Sequence, residues 1–284
     1  MTLLVFGKTG QVALELQART DDAIFLGRDQ ADLTDAEACA QLIHQHAPSA
    51  VINAAAYTAV DRAEEDEATA LAVNGTAPGA MAQACAELGV PFVHISTDYV
   101  FVGDGDAPWT PTDPVNPPNA YGRTKLVGEN NVRNAGGAYA ILRTSWVVSA
   151  HGNNFVKTML RLGTERDKLT IVGDQIGGPT PASAIADACL SIADQLRSRP
   201  ELAGTYHFSG ANDTSWANFA RAIFEEAGID CAVEDIPTSS YPTPATRPLN
   251  SRLDCTTTQQ AFDIERPDWR EGLTTILTQL GERT

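Results

Sequence analysis

Five short runs built almost wholly of apolar residues, at 2–6, 23–26, 50–53, 90–95 and 138–142, punctuate the first half of the chain. A strand that reads as one continuous apolar run has no face to offer water, so it must be covered on both sides. The stretches between the runs, 10–19, 35–46, 64–88 and 120–135, space their apolar residues at helical period instead. Thr34 or Asp35 supplies the polar side chain that caps the second of them. Strand and helix in alternation predict an α/β fold, a parallel sheet doubly wound with helices on both faces. Past about residue 148 the alternation loosens, and Pro and Gly gather in GGPTP (177–181) and IPTSSYPTPATRP (236–248), which read as loops of a smaller lobe. YHFS (206–209) reads as a late strand returning to the main sheet, so the two parts of the chain interleave.

The first run is followed at once by Gly7-Lys8-Thr9-Gly10-Gln11-Val12-Ala13, a GxxGxxA spacing that also opens the first helix. Glycines at such a turn let the backbone approach a pyrophosphate, the helix start offers N–H groups, and a small Ala13 lets helix and strand pack closely. A glycine turn is elsewhere a mere tight corner; strand, turn and helix in this order predict a Rossmann-type dinucleotide site at Gly7 and Gly10. Residues 1–148 then form the dinucleotide-binding domain, and 149–284 mainly a substrate-binding lobe. Gly27-Arg28-Asp29 lies just past the second strand, where an adenosine ribose would sit. A carboxylate there favours NAD, whereas the Arg28 guanidinium suits the 2′-phosphate of NADPH. A solvated surface arginine beside Asp29 is the other reading, so use of NADH stays open. Asp32 and Leu33 are placed to flank the adenine, and Ala54, Ala55 and Ala56 to line the groove with small side chains.

Tyr121-Gly-Arg-Thr-Lys125 puts a phenol and an ammonium four residues apart, on one face of a helix. An adjacent cation favours the phenolate and brings tyrosine toward a useful acid/base range, so Tyr121 would hand a proton to a developing alkoxide. Lys125 would depress the tyrosine pKa and reach the nicotinamide ribose. The same spacing also arises on any charged amphipathic helix. Its context is Ser96-Thr97-Asp98-Tyr99, at the carboxyl end of a parallel strand, where open α/β sheets place ligands. Thr97 could donate to the carbonyl oxygen; a hydroxyl there also caps helices or satisfies turns.

GKTGQV, NAAAYTAVDRAE, STDYVF, YGRTKLVGE, RTSWVV, GNNFVKTMLRL and YPTPATRPLNSRL, in this order from residue 7 to about 253, resemble the extended short-chain dehydrogenase/reductase superfamily, and within it the dTDP-4-dehydrorhamnose reductase family. The resemblance implies reduction of dTDP-4-dehydro-L-rhamnose to dTDP-L-rhamnose by NADPH or NADH, the last step of a route that serves cell-surface polysaccharide. It implies Tyr121 as proton donor, Lys125 as its electrostatic partner and Thr97 as carbonyl ligand. Gly10, Gln11, Val12, Asp32, Leu33, Ala55 and Ala56 would contact the cofactor, with Thr58 close by. Asp98, Tyr99 and Trp146 fall where the family holds the sugar, although Trp146 also reads as a core aromatic. Arg247 and Arg252 would grip the diphosphate or, equally, serve as salt-bridge partners. Some relatives bind magnesium through glutamates at a dimer contact. Here Glu15 stands at one such position, but Ser183 stands where another glutamate is expected, so no metal site and at most a weak homodimer are expected.

A formal net charge of −16 argues against nucleic-acid or anionic-membrane partners, which need a basic face. No apolar run approaches the ~20 residues that span a bilayer, and the opening MTLLVFGK lacks a basic leader, so a cytoplasmic monomer or weak homodimer is expected. The five cysteines, Cys39, Cys85, Cys189, Cys231 and Cys255, show no metal spacing and read as ordinary buried thiols. His94 reads as packed, and the acidic run 61–67 as a solvated helix start. Two alternatives compete: a nucleotide-sugar dehydratase or epimerase, and a noncatalytic dinucleotide-binding regulatory subunit. The dehydratase expects a second acid after Thr97-Asp98, where Tyr99 stands; the subunit expects loss of Tyr121 or Lys125, and both are present.

Overall fold

In a computed structural model, which describes residues 2–282, six strands form one all-parallel sheet. They are β1 (Leu3–Phe6), β2 (Ala23–Leu26), β3 (Ala50–Asn53), β4 (Phe92–Thr97), β5 (Tyr139–Thr144) and β6 (Gly204–His207). Their order across the sheet is β6-β5-β4-β3-β1-β2, so β6 does return to pair with β5. The direction of winding reverses between β1 and β3, which opens a crevice beyond their carboxyl ends.

Residue alternation fixes how the sheet is covered. Val5, Ile52, Val93 and Leu142 point to one face, against helices α1 (Gln11–Gln17) and α6 (Ala182–Ser198). Leu4, Phe6, Val51, Phe92 and Ile141 point to the other, against α2 (Ala36–His46), α3 (Ala77–Leu88) and α4 (Ala120–Ala135). Apolar residues at successive positions are thus all buried, as strands covered on both faces require. A separate core holds the smaller lobe, where α5 (Phe155–Glu165), α7 (Trp216–Ala227) and α8 (Trp269–Leu280) pack with a strand pair, Lys168–Val172 and Ala232–Ile236.

Three details refine the sequence reading. Asp35, not Thr34, caps α2, accepting from the Ala38 N–H at 3.0 Å, because Thr34 is turned back onto Asp32. The stretch expected as one helix over 64–88 follows a short turn of helix, Val60–Ala63, and itself breaks into Glu67–Leu71 and a π turn, Ala72–Thr76, before α3. The π turn brings the backbone of Asn74 against Gly128 of α4, where a Cβ has no room. Third, β4 runs on through Ser96 and Thr97, so both hydroxyls belong to the strand itself.

Candidate active site

Gly7 has φ +116°, and an added Cβ there would press on the backbone of Ala54 and Ala55 at 3.2 to 3.3 Å. Only glycine lets β1 turn this close to the end of β3. From that turn a groove of about 910 Å³ runs along the carboxyl edge of the sheet. Gly7, Gly10, Gln11, Val12, Arg28, Asp32, Leu33, Ala54, Ala55, Ala56 and Thr58 line one stretch of it. Thr97, Asp98, Tyr99, Tyr121, Lys125 and Trp146 line the other. Volume and lining suit a long, flat ligand with anionic groups at the glycine turn, which fits a dinucleotide.

The second stretch is built by α4. Asn119 caps it, accepting from the Gly122 N–H at 2.8 Å. Gly122 itself lies against the Tyr99 carbonyl so closely that no side chain fits, and this contact seats α4 on the turn after β4. Tyr121 thereby comes to line the same groove as Thr97 and makes edge-on contact with Tyr99, ring centroids 5.5 Å apart. Thr97 Oγ1 already accepts from the Tyr99 N–H at 3.2 Å and donates to Asp98 Oδ1 at 3.0 Å. A hydroxyl has one proton, so Thr97 can donate to a ligand only by releasing Asp98. Burial pushes the Asp98 carboxyl up to about 6 and the Tyr121 phenol up to about 12.

Lys125 has partners the spacing did not announce. Its Nζ donates to the Ile95 carbonyl at 2.7 Å and lies 3.2 Å from His94 Nε2. Burial pulls Lys125 itself down to about 8 against the attraction of Glu129. His94 is fully buried, as expected of a packed residue, but it is tied to the lysine of the site. Behind it, Glu129 accepts from Ser96 at 2.6 Å, from Arg143 at 2.7 and 2.9 Å, and from Arg133 at 2.6 Å. Burial raises the Glu129 carboxyl, but these donors outweigh it and hold it below the usual range.

Trp146 sits half-buried on the groove wall with φ +48°, stacked on Trp216 at 3.6 Å between centroids. Arg247 and Arg252 do not line the groove. Arg247 pairs with Asp61 at 2.7 Å, and Arg252 with Asp213 at 3.8 Å and with Asn250 Oδ1 at 3.1 Å. Arg247 is still near enough to draw the Tyr99 phenol down against its burial. The acidic run is consequently not a simple solvated helix start. Asp61 holds Arg247, Glu64 accepts from the Ala120 N–H at 2.7 Å, and Glu67 pairs with Arg123 at 2.8 Å. Glu15 is likewise buried and paired with Arg19 at 2.6 Å rather than solvated, with His151 at 3.7 Å. Among the described residues no group of three or more His, Cys, Asp or Glu side chains is clustered for a metal, and the five cysteines are buried free thiols. Sequence reasoning gave no role to Asn53, Thr144 and Ser145, although they fall within NAAAYTAVDRAE and RTSWVV; Thr144 and Ser145 line the groove, and Thr144 neighbours Thr97 on the adjoining strand.

The sequence pattern of the RmlD substrate binding domain family matches residues 1–282. The chain belongs to that family. It is similar to dTDP-4-dehydrorhamnose reductase of Shigella flexneri, 43% identical over 99% of this chain and 98% of that one. Among solved structures, the Clostridium acetobutylicum dTDP-4-dehydrorhamnose reductase superposes with a TM-score of 0.93 at 36% identity, covering 99% of this chain and all of that one. The Bacillus anthracis dTDP-4-dehydrorhamnose reductase, solved in complex with NADP, gives 0.91 at 33% identity over 98% and 99%.

Proposed function

We propose that this chain reduces the 4-keto group of dTDP-4-dehydro-L-rhamnose to dTDP-L-rhamnose with NADPH or, less readily, NADH. One observation carries the reading: Tyr121 and Thr97 meet in the same groove that Gly7 opens at its other end. The relatives' activity and the NADP held by one of them point the same way. When bound, the dihydronicotinamide supplies the hydride.

The chain's part is to hold the ketone and move a proton. Tyr121 gives its phenolic proton to the oxygen that becomes alkoxide, and Thr97 hydrogen-bonds the same oxygen after releasing Asp98. Asp98, Tyr99 and Trp146 hold the sugar, the indole offering an apolar face to its methyl group. Arg247 and Arg252 take the diphosphate by exchanging Asp61 and Asp213 for it. Gly7, Gly10, Gln11 and Val12 take the pyrophosphate of the cofactor, Arg28 its 2′-phosphate, Asp32 and Leu33 its adenosine, and Ala54, Ala55, Ala56 and Thr58 its far side. Residues 1–148 serve the dinucleotide and 149–284 mainly the sugar nucleotide. The protein works without a dedicated metal as a cytoplasmic monomer or weak homodimer, with no nucleic-acid or membrane partner; no helix among the described residues is long and apolar enough to cross a membrane.

The test supplies dTDP-4-dehydro-L-rhamnose with NADPH or NADH, each with and without chelator. Stoichiometric oxidation of NADPH is the expected result, unchanged by the chelator; no oxidation with either cofactor overturns the reading.

A further inference from the structure

Each ring nitrogen of the buried His94 has one neighbour. Nδ1 lies 3.2 Å from Asn53 Nδ2, and Nε2 lies 3.2 Å from Lys125 Nζ. A neutral imidazole has one proton and one lone pair, so it donates to one neighbour and accepts from the other. Asn53 decides which. Its Oδ1 accepts from the Ala55 N–H at 3.1 Å, which turns its NH₂ toward the ring. Nδ1 is then the acceptor and Nε2 the donor. A donor at Nε2 needs a lone pair on Nζ, which an amine has and an ammonium lacks. As an amine, Lys125 still donates to the Ile95 carbonyl and keeps a further N–H for the groove.

The surrounding charges allow this. Tyr121 and Glu129 stand on the helix of Lys125, Asp98 follows β4, and Arg143 on β5 answers Glu129 together with Arg133. Burial outweighs the attraction of Glu129 for the lysine, and burial with Lys125 nearby holds His94 well below its ordinary value, so an imidazolium does not enter.

The opposite arrangement is one amide rotation away. Turning Asn53 presents Oδ1 to Nδ1, moves the His94 proton from Nε2 to Nδ1, and admits Lys125 as an ammonium. It also frees the N–H of Ala55, on the groove wall. A dinucleotide favours that arrangement, because it brings acceptor oxygens to the wall and anionic phosphates to the groove. We propose that His94 is a positioning residue that, through Asn53, couples the seating of a dinucleotide beside Ala55 to the uptake of one proton by Lys125. In balance, one proton leaves solvent for Nζ and the imidazole stays neutral. The ammonium is then formed when the cofactor is in place, on the helix that carries Tyr121.

This inference rests on the reductase reading only in naming a dinucleotide as the ligand. The experiment measures Kd for NADPH by fluorescence between about pH 7 and pH 10, above the ~6 at which a phosphate monoester titrates. Above about pH 8, Kd of the wild-type chain rises toward tenfold per pH unit, because binding requires a proton the free site has lost. Asn53→Asp accepts from the Ala55 N–H and from Nδ1–H together, admits the ammonium throughout, and flattens the profile. Lys125→Met removes the titrating group and flattens it too, which keeps the test decisive if Asn53→Asp does not fold. A flat wild-type profile, or a slope that survives in either variant, overturns the inference and leaves the reductase reading standing. Failure to bind NADPH at any pH overturns both.

Discussion

The two ends of the groove use the same pairing of arginine with carboxylate to opposite effect. At the rim, Arg28 and Asp32 approach to 3.6 Å with side chains 82% and 43% exposed. Water screens such a pair to about 0–1 kcal/mol, so either group can leave it for a ligand. Beneath the other end, Glu129 and Arg143 meet at 2.7 Å with 0% and 2% exposed. A charge stripped of its partner there has no water to turn to, and losing one partner of such a pair costs about 3–5 kcal/mol. The buried pair ties α4, which carries Tyr121 and Lys125, to β4 and β5 through Ser96 and Arg143. Exposure thus separates charges free to bind from charges that fix geometry.

The largest expected effect tests whether geometry at the buried end serves chemistry. Tyr121→Phe removes the transferable proton and little packing, so turnover falls about 10²–10⁴-fold while Kd for NADPH stays nearly constant. Wild-type turnover in the variant would leave the buried end with no catalytic use. Next in size, Glu129→Ala strands Arg143 and costs about 3–5 kcal/mol, read as a lower midpoint in urea at unchanged slope. Asp32→Ala at the rim moves the same midpoint by no more than about 1 kcal/mol. Equal losses in the two variants would break the comparison.

Much of this architecture is legible in the residues alone. The six-stranded sheet follows from apolar runs that leave no wet face, and the groove from the glycine turn at Gly7. What escaped depends on side-chain direction rather than residue type. Spacing put Lys125 on the face of Tyr121, but the long side chain bends to Ile95 and His94 because a buried amine must find acceptors and donors. The acidic run 61–67 looked solvated because its partners, Arg247, Arg123 and the Ala120 N–H, lie 56 or more residues further along the chain. Asn53 ends a strand whose pattern is apolar, and nothing local marks its tie to His94.

Acid sharpens the contrast without any ligand. Burial lowers His207 to about 3 and lowers His94 as well, so on acidification the unfolded chain takes up two protons that the fold refuses. Both are depressed bases, so stability is lost as pH falls below about 6.5, near the unfolded histidine value. Asp98 acts the other way. Burial raises it to about 6, so between there and about 4 the fold gains a proton before the unfolded chain does. These three groups together leave a slope of about one proton in that window, or roughly 1.4 kcal/mol per pH unit, to which the depressed Glu129 and Glu67 carboxyls add toward its acid end. Asp98→Asn removes the offset and steepens the loss toward two protons, as urea titrations at successive pH values will show; an unchanged slope would mean that Asp98 is ionised throughout.

The smallest effect belongs to the rim, and it asks whether exposure there really means availability. Arg28 leaves Asp32 at little cost, so a 2′-phosphate can take the guanidinium in its place. A charge-assisted bond formed in the open is weaker than a buried one, and about 1 kcal/mol is expected from it. Arg28→Ala should therefore raise Kd for NADPH by roughly fivefold, leave Kd for NADH almost unchanged, and lose most of that difference at high salt. A preference that survives both the substitution and the salt would place the 2′-phosphate against other residues and make Arg28 an ordinary surface charge.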